Sequence, residues 1–371
     1  MQTAYYTGRA SGIHSTYSGS KTACNTLMRY HAMAYQTPVS NDWLNQVVEE
    51  VIDPERPIID PHHHLWKKRF GSDYLLEELW SDTGSGHNVV KTVFMECGAF
   101  YLREGPEYLR PLGETRCVSE LASTSATTSD RATVAGIIGH ADLRLEESKL
   151  TELLGLHQAA CNGKFRGIRH AGACDDRPED FLIPGPAPKD LYSDPAFREG
   201  LRILGSLGYT YDTWHYHHQN SDFIELAQEV PECLVVLDHF GTPLGEGIYR
   251  NHRKEIYHSW KEDMQRLARM PNVYVKLGGL AMPDNGFRWH QAQMPPSSDE
   301  IISQQEQYYL HMIDSFGPER CMFESNFPVD RLSVSYHVLY NAFKKMTSSF
   351  SEDEKHALFF GTAENVYSLA D

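Results

Sequence analysis

From about residue 57 onward, short apolar and β-branched runs alternate with longer segments that have helical periodicity. Eight of these runs begin near residues 57, 89, 134, 165, 208, 233, 272 and 320, at spacings between 25 and 48 residues. Runs of this length and composition predict β-strands that are buried on both faces. The chain therefore has the pattern of a protein built from alternating strands and helices.

The segments between the runs carry helix start signals. Asp194 precedes Pro195, which places a capping side chain before a residue that favours the first helical turn. Ser297 and Ser351 each stand three residues before a glutamate, which is the capping-box pattern. A further helix is predicted over residues 252–269. These helices complete a series of βα units.

Repeated βα units require a parallel sheet, and eight of them predict a closed, distorted (β/α)8 TIM barrel. An open, doubly wound sheet is the alternative. That fold usually carries a glycine-rich phosphate loop after its first strand, and no such loop follows residues 57–60. The pattern thus favours the barrel.

The first residues differ from the rest of the chain. Up to about residue 45 they are rich in Thr, Ser, Tyr, Gly and Ala and show no stable period. We expect an N-terminal extension over residues 1–50, which drapes over the main domain or is partly mobile, and a barrel domain over residues 51–371.

Composition narrows the class of partner. Among 371 residues, 34 Lys and Arg against 50 Asp and Glu give a net charge of −16, which argues against nucleic acid and anionic membranes. No apolar run approaches the roughly 18 residues of a membrane helix. The seven cysteines are scattered without a CxxC pair, and no secretory signal is recognised. We expect a cytoplasmic protein that binds a small molecule; the sequence leaves its oligomeric state, including a homo-oligomer, open.

The strongest chemical motif is Asp60-Pro61-His62-His63-His64-Leu65-Trp66 at the end of the first predicted strand. Residues two apart on a strand point the same way, so His62 and His64 converge while His63 faces away. Two convergent imidazoles suit a metal ion or an anionic oxygen. A polar loop with three solvated histidines is the alternative.

Other predicted strands also end in polar or ionisable residues, and the carboxyl ends of barrel strands meet at the face where chemistry occurs. Arg169 suits a carboxylate or oxyanion, with an ion pair to a neighbouring acid as the equal alternative. We predict a substrate-binding set at these ends: Glu96, Arg169, Trp214, His217, Lys276 and Asp330.

Several motifs together resemble the amidohydrolase-2 group of the amidohydrolase superfamily, which includes fuconolactonase-like and dicarboxylate lactonases. The matching segments are 60–66, Gly167-Ile168-Arg169-His170, Leu237-Asp238-His239-Phe240-Gly241, Val275-Lys276-Leu277-Gly278-Gly279, Met322-Phe323-Glu324-Ser325-Asn326-Phe327-Pro328-Val329 and the closing 360–367. They keep the family order over roughly residues 57–370. The resemblance implies a distorted TIM barrel, in agreement with the strand count.

The resemblance also implies roles for particular residues. His62, His64 and His239 correspond to the family histidines that bind a divalent metal, often zinc, or act on a lactone carbonyl without one. Arg169 corresponds to a residue that holds a substrate carboxylate. Where the family normally has an aspartate that ligates metal and deprotonates water, this chain has Asn326.

An amide cannot accept a proton at neutral pH, so Asn326 is not the general base. Three hypotheses remain. A metal on the three histidines activates water, or a nearby carboxylate such as Glu324, Asp330 or Glu96 is the base, or the site does not hydrolyse its ligand. In the last case Asn326 donates a hydrogen bond to a substrate oxygen; a structural amide before Pro328 is the plain alternative.

We therefore predict a hydrolase that opens a lactone or similar cyclic ester of a small carboxylated or aromatic substrate. The predicted catalytic residues are His62, His64, His239, Asn326 and Glu324, and the predicted cofactor is a divalent metal, zinc first. Two alternatives stay open: a metal-dependent decarboxylase or other lyase acting on an aromatic acid, and a non-catalytic binding protein on the same barrel.

Overall fold

The computed structural model describes residues 40–370. Its strands are β1 (Pro57–His63), β2 (Trp66–Arg69), β3 (Ser72–Tyr74), β4 (Asn88–Met95), β5 (Thr133–Gly139), β6 (Phe165–Arg169), β7 (Thr210–Thr213), β8 (Val235–Leu237), β9 (Val273–Leu277) and β10 (Cys321–Phe323). Its α-helices are α1 (Asn41–Leu44), α2 (Leu76–Thr83), α3 (Leu112–Ser125), α4 (Glu147–Ala160), α5 (Pro195–Ser206), α6 (Asn220–Glu229), α7 (Arg253–Leu267), α8 (Ser298–Phe316), α9 (Tyr336–Met346), α10 (Glu352–His356) and α11 (Thr362–Val366).

Eight strands form one parallel sheet in the order β1-β4-β5-β6-β7-β8-β9-β10, which confirms the predicted α/β barrel. Each strand begins within about two residues of the predicted position. The small antiparallel hairpin of β2 and β3 was not predicted. Helices flank the sheet, so that the outer faces of the strands pack against apolar helix stripes.

The barrel closes just beyond its last strand. The amide of Asn326 donates to the carbonyl of His62 at 3.0 Å, and the amide of His64 donates to the carbonyl of Phe327 at 2.8 Å. The backbone that joins the two edges of the sheet is therefore also the backbone that carries the histidine motif. Closure and placement of the site depend on the same hydrogen bonds.

The helix signals in the sequence act as predicted. The carboxylate of Asp194 accepts from the amide of Ala196 at the start of α5, and Ser297 and Ser351 form capping boxes at α8 and α10. The segment predicted over residues 252–269 is α7. None of the described helices is both long enough and apolar enough to cross a bilayer.

Part of the predicted N-terminal extension, residues 1–39, lies outside the described residues. The next residues pack on the barrel. The carboxylate of Glu49 accepts from the amide and hydroxyl of Ser298 at 2.7 and 2.6 Å, and Asn341 on α9 donates to the carbonyl of Glu50 at 2.9 Å. The boundary at residue 50 stays a prediction.

One part of the barrel interior is an apolar cluster. Met322 on β10 is fully buried there with Ile59, Val93 and Val236. We predict that Met322→Ala destabilises the protein by about 2–5 kcal/mol, because the packed interior cannot collapse around the lost side chain. The measurement is the urea unfolding midpoint. Met294, which is 54% exposed, is the control, and Met294→Ala should change stability by less than about 0.5 kcal/mol. Equal effects of both variants would contradict the assignment of Met322 to the interior.

Candidate active site

Three imidazoles meet at the barrel mouth. The Nε2 atoms of His62 and His64 lie 3.3 Å apart, and the rings of His62 and His239 have centroids 4.5 Å apart. His63 points away and makes a 3.0 Å hydrogen bond to the hydroxyl of Thr92. The structure thus brings together the three histidines that the sequence singled out from distant parts of the chain.

One carboxylate orients two of these rings. Oε1 of Glu324 lies 2.7 Å from Nδ1 of His239, and Oε2 lies 2.6 Å from Nδ1 of His62. Burial alone would raise the pKa of Glu324, but the His239 and His62 imidazoles lower it to about 2. An ionised carboxylate in this position fixes the proton of each ring on Nδ1 and leaves each Nε2 as an acceptor.

His64 is oriented by the backbone instead. Its Nδ1 lies 2.9 Å from the carbonyl of Met95, which can only accept, so Nδ1 carries the proton and Nε2 has a lone pair. Burial lowers the pKa of both His62 and His64 well below its ordinary value. Two neutral rings therefore turn lone pairs toward each other, an arrangement that a cation between them would stabilise.

The residues present fit a divalent cation. Zinc–nitrogen bonds of about 2.0–2.1 Å at a tetrahedral ion place two ligand nitrogens about 3.3 Å apart, as His62 and His64 are. Among the described residues, one group of possible ligand atoms lies within 4.8 Å of one another: His62, Asp238 and His239. Both oxygens of Asp238 are buried and accept no hydrogen bond of regular geometry. The ligand set on the structure thus adds Asp238 to the three predicted histidines.

Arg169 and Glu96, both predicted to bind substrate, bind each other. Nε of Arg169 donates to the Glu96 carboxylate at 2.9 Å, and its Nη2 donates to the Glu96 carbonyl. Nη1 lies 3.4 Å from Nε2 of His62 and 3.5 Å from the carboxylate of Asp238. The guanidinium borders the imidazoles, but it already has two carboxylate partners.

Lys276 lies in the barrel interior, and its predicted contact with substrate stays a prediction. It is fully buried, and its Nζ lies 2.9 Å from Asp212 and 3.1 Å from Asp238. It is the second-last residue of β9. A buried ammonium needs such partners, because an isolated charge would carry a large desolvation cost.

Asn326 occupies a left-handed backbone conformation with φ of 55° just after β10. Its side-chain amide nitrogen, Nδ2, donates to the Asp330 carboxylate at 2.9 Å. Burial raises the pKa of Asp330 to about 7. Glu324, a predicted candidate base, has both oxygens against imidazole nitrogens and is not placed to receive a proton from water. Its position is that of an orienting group.

Trp214 and His217 belong to a loop cluster. Trp214 donates to the hydroxyl of Thr242 at 2.9 Å and packs against Tyr216, and it is 9% exposed. Nδ1 of His217 accepts from the amide of Leu244 at 3.3 Å. Neither side chain has a described contact with the three imidazoles of the mouth, and their role in substrate binding stays a prediction.

The backbone after β8 is unusual. Residues 239–242 all have positive φ, so β8 ends at Leu237 and the backbone changes direction at His239. Gly279 makes room for it: a Cβ atom there would lie 2.3 Å from Nδ1 of His239. A Cβ atom at Gly278 would lie 2.3 Å from the carbonyl oxygen of Glu324, so the two glycines allow close approach of His239 and Glu324.

Two acids were missed as site residues. Asp238 adjoins His239 in a segment that matches the family, but only His239 is predicted as a site residue there. Asp212 is a charged residue inside an otherwise apolar predicted strand, and such a residue signals a buried partner. That partner is Lys276, 64 residues away, which no local pattern identifies.

The comparisons with known proteins agree with this geometry. A family model described as amidohydrolase matches residues 59–369. The chain is 30% identical to the uncharacterized protein y4mH of Sinorhizobium fredii over 331 residues, 84% of this chain and 98% of the relative. It is 26% identical to an L-fucono-1,5-lactonase of Burkholderia multivorans over 328 residues, 84% of this chain and 96% of the relative.

A solved structure is also similar. The crystal structure of an amidohydrolase from Burkholderia multivorans with bound zinc has a TM-score of 0.65 and 25% sequence identity. The match covers 85% of this chain and all of that one.

The facing nitrogens lead to a prediction about metal binding. We expect purified protein to take up one zinc ion, and Glu324→Gln to weaken that binding about 10- to 100-fold, because the ring orientation is lost. Zinc affinity is measured by equilibrium dialysis with elemental analysis.

His63→Gln is the matched control, since His63 adjoins the same ligands but points to Thr92. It should leave zinc affinity unchanged. A loss with His63→Gln equal to that with Glu324→Gln would contradict the assignment of the ligands.

Proposed function

Because the chain belongs to the amidohydrolase family, we propose that it is a hydrolase that opens a lactone, the cyclic ester of a small hydroxy acid. The single observation that carries this proposal is the pair of imidazoles, His62 and His239, whose Nδ1 atoms are both held on one buried carboxylate, so that each Nε2 is an acceptor. Similarity to a relative named as a lactonase supports the proposal.

His239 is the general base of the proposal. A carboxylate that accepts from Nδ1 of a histidine holds the ring so that Nε2 can take a proton from a nucleophile. Glu324 does this for His239 at 2.7 Å. Nε2 receives a proton from the attacking water, whose oxygen bonds to the lactone carbonyl carbon. The same proton then passes to the ring oxygen when the ester bond breaks. The histidine supplies the base that Asn326 lacks.

His62, His64 and Asp238 are the residues that would hold a divalent ion while His239 acts as the base, because Nδ1 of His239 is held by Glu324 and its Nε2 takes the proton. We propose zinc because the donors are imidazole and carboxylate. When bound, the ion supplies Lewis-acid polarisation of the lactone carbonyl. Arg169 contributes positive charge at the same place, since Nη1 lies 3.4 Å from Nε2 of His62. Charge placed there stabilises the oxyanion that forms when water adds.

The ion pairs of the site favour an uncharged lactone among the substrates considered from the sequence. Arg169 is paired with Glu96 and Asp238, and Lys276 with Asp212 and Asp238. Neither cation is left to neutralise a substrate carboxylate. A lactone whose other polar groups are hydroxyls can instead hydrogen-bond to the same carboxylates without bringing further negative charge.

The proposal predicts a substrate preference. We expect an uncharged sugar 1,5-lactone to be hydrolysed with kcat/KM at least about 100-fold above that of 2-pyrone-4,6-dicarboxylate, because Arg169 and Lys276 are already paired with acids and do not neutralise two added carboxylates. The measurement is proton release followed with a pH indicator. A preference for the dicarboxylate would show that Arg169 leaves Glu96 to bind substrate.

The proposal also predicts the effect of removing the base. His239→Asn should lower kcat on the lactone about 100- to 10,000-fold, as expected for the loss of a general base. His258→Asn, on the exposed surface of α7, is the control and should retain wild-type kcat. Full activity of His239→Asn would exclude His239 as the base.

A non-hydrolytic reaction is the second candidate, and the observation that favours it is Asn326. This amide donates to Asp330 and brings no charge to offset a metal ion. A metal-dependent decarboxylase of an aromatic acid would release carbon dioxide from hydroxybenzoates. Carbon dioxide release without lactone hydrolysis would replace the first proposal with this one.

Asn326→Asp separates the roles proposed for the amide. We predict a loss of lactone hydrolysis of about ten-fold or more, since a second carboxylate would face Asp330 and perturb the hydrogen bond between them. Steady-state kcat is the measurement. Asn88→Asp, at the start of β4 on the surface, is the control. A gain of hydrolysis would mean that Asn326 marks a degenerate site.

A further inference from the structure

The C-terminal segment closes the barrel from below. After α11, Tyr367 enters the interior, where it is 1% exposed and packs among apolar side chains from several strands. The cluster contains Ile59, Val93, Met95, Ile138, Val236, Met322, Ala363, Val366 and Leu369. The carbonyl of Leu369 accepts a 2.6 Å hydrogen bond from Lys91 on β4. This bond fixes the segment 367–369, which we call the C-terminal plug.

Among the buried residues of this cluster, Tyr367 alone has a hydroxyl group. It donates to Oδ2 of Asp212 at 2.5 Å. The same oxygen lies 2.9 Å from Nζ of Lys276, while Oδ1 accepts from the hydroxyl of Thr210 at 3.0 Å. The ammonium of Lys276 also lies 5.4 Å from the centroid of the Tyr367 ring. Phenol, carboxylate and ammonium thus form one buried unit.

Lys276 connects this unit to the mouth. Its Nζ lies 3.1 Å from Oδ1 of Asp238, and that oxygen lies 3.7 Å from Nδ1 of His62. The other oxygen of Asp238 lies 3.5 Å from Arg169. A continuous series of contacts therefore runs from Tyr367 through Asp212 and Lys276 to Asp238, which lies beside the imidazoles.

We propose that Tyr367 is a positioning residue for the hydrolysis, which acts on Asp238 through Asp212 and Lys276. This inference rests on the proposed function. Asp212 and Asp238 share one ammonium, so whatever satisfies one carboxylate frees Lys276 for the other. The Tyr367 hydroxyl satisfies Asp212 from below. Without it, Asp212 draws Lys276 closer, and Asp238 keeps its contact with Arg169 but loses the ammonium that fixes its other oxygen.

The test begins with Tyr367→Phe, which removes the hydroxyl and keeps the ring in the plug. We expect kcat for lactone hydrolysis to fall about ten-fold while KM stays within about two-fold, because Asp238 and not the substrate pocket is displaced. Tyr74→Phe is the matched control: Tyr74 is 3% exposed and donates to Asp82 at 2.8 Å, outside the barrel interior. It should leave kcat unchanged. An unchanged kcat in Tyr367→Phe, or equal losses in both variants, overturns the inference.

A double-mutant cycle with Asp212→Asn tests the path. If Tyr367 acts through Asp212, adding Tyr367→Phe to Asp212→Asn should lower kcat by less than about two-fold further. Full additivity of the two effects overturns the path. Tyr367→Phe alone keeps the inference testable if Asp212→Asn does not fold.

A readout without turnover separates this inference from the proposed function. In histidine side-chain NMR spectra, Tyr367→Phe should shift the ring nitrogen signals of His62 and leave those of His157 unchanged. His157 is buried against Thr115, away from Asp238. If the wild-type protein hydrolyses no lactone but His62 shifts, the function is wrong and the coupling stands. If lactone is hydrolysed and His62 does not shift, the coupling is wrong.

Discussion

The site depends on one buried carboxylate shared by two imidazoles. Glu324 lies in the segment after β10, while His62 is on β1 and His239 follows β8. By accepting from both Nδ1 atoms, the carboxylate sets the tautomer and direction of both rings at once. The acceptor nitrogens are then available to hold a proton or a cation. The proposed general base and the proposed metal site both depend on this arrangement.

Barrel closure and site assembly are coupled. The hydrogen bonds that join β1 to the segment after β10 involve the backbone of His62, His64, Asn326 and Phe327. Asp60 adds to this junction, since its carboxylate accepts from the amide of Ser325 at 3.0 Å. A side chain placed on a closing seam has little freedom, because its backbone is fixed from both sides. The histidine motif is therefore preorganised by the fold itself.

Charge balance is the basis of the proposed preference for an uncharged lactone. Two buried cations, Arg169 and Lys276, are each surrounded by carboxylates, and Asp238 lies between them. Such a network stabilises its own members and leaves little free charge for a ligand. An uncharged lactone with hydroxyl groups fits this environment better than an acid. The same network extends below the mouth to the C-terminal plug, so that the site is supported from inside the barrel as well as from its loops.

Much of the fold could be read from the sequence because it depends on local patterns. The eight strands, the capped helices and the pairing of His62 with His64 follow from periodicity, cap chemistry and side-chain alternation. The ends of strands were less accurate, since the left-handed residues His239 and Asn326 stop strands that look continuous in sequence.

The sequence by itself determined the barrel, the identity of the histidines and the absence of an acid at Asn326. Only the tertiary structure decided which charges meet. In the structure Arg169 pairs with Glu96, Lys276 is buried against Asp212, and Glu324 orients the His239 ring. The reason is physical: ion pairs between strands depend on register and on depth along the barrel axis, and these are set by packing of the whole chain and not by neighbours in sequence.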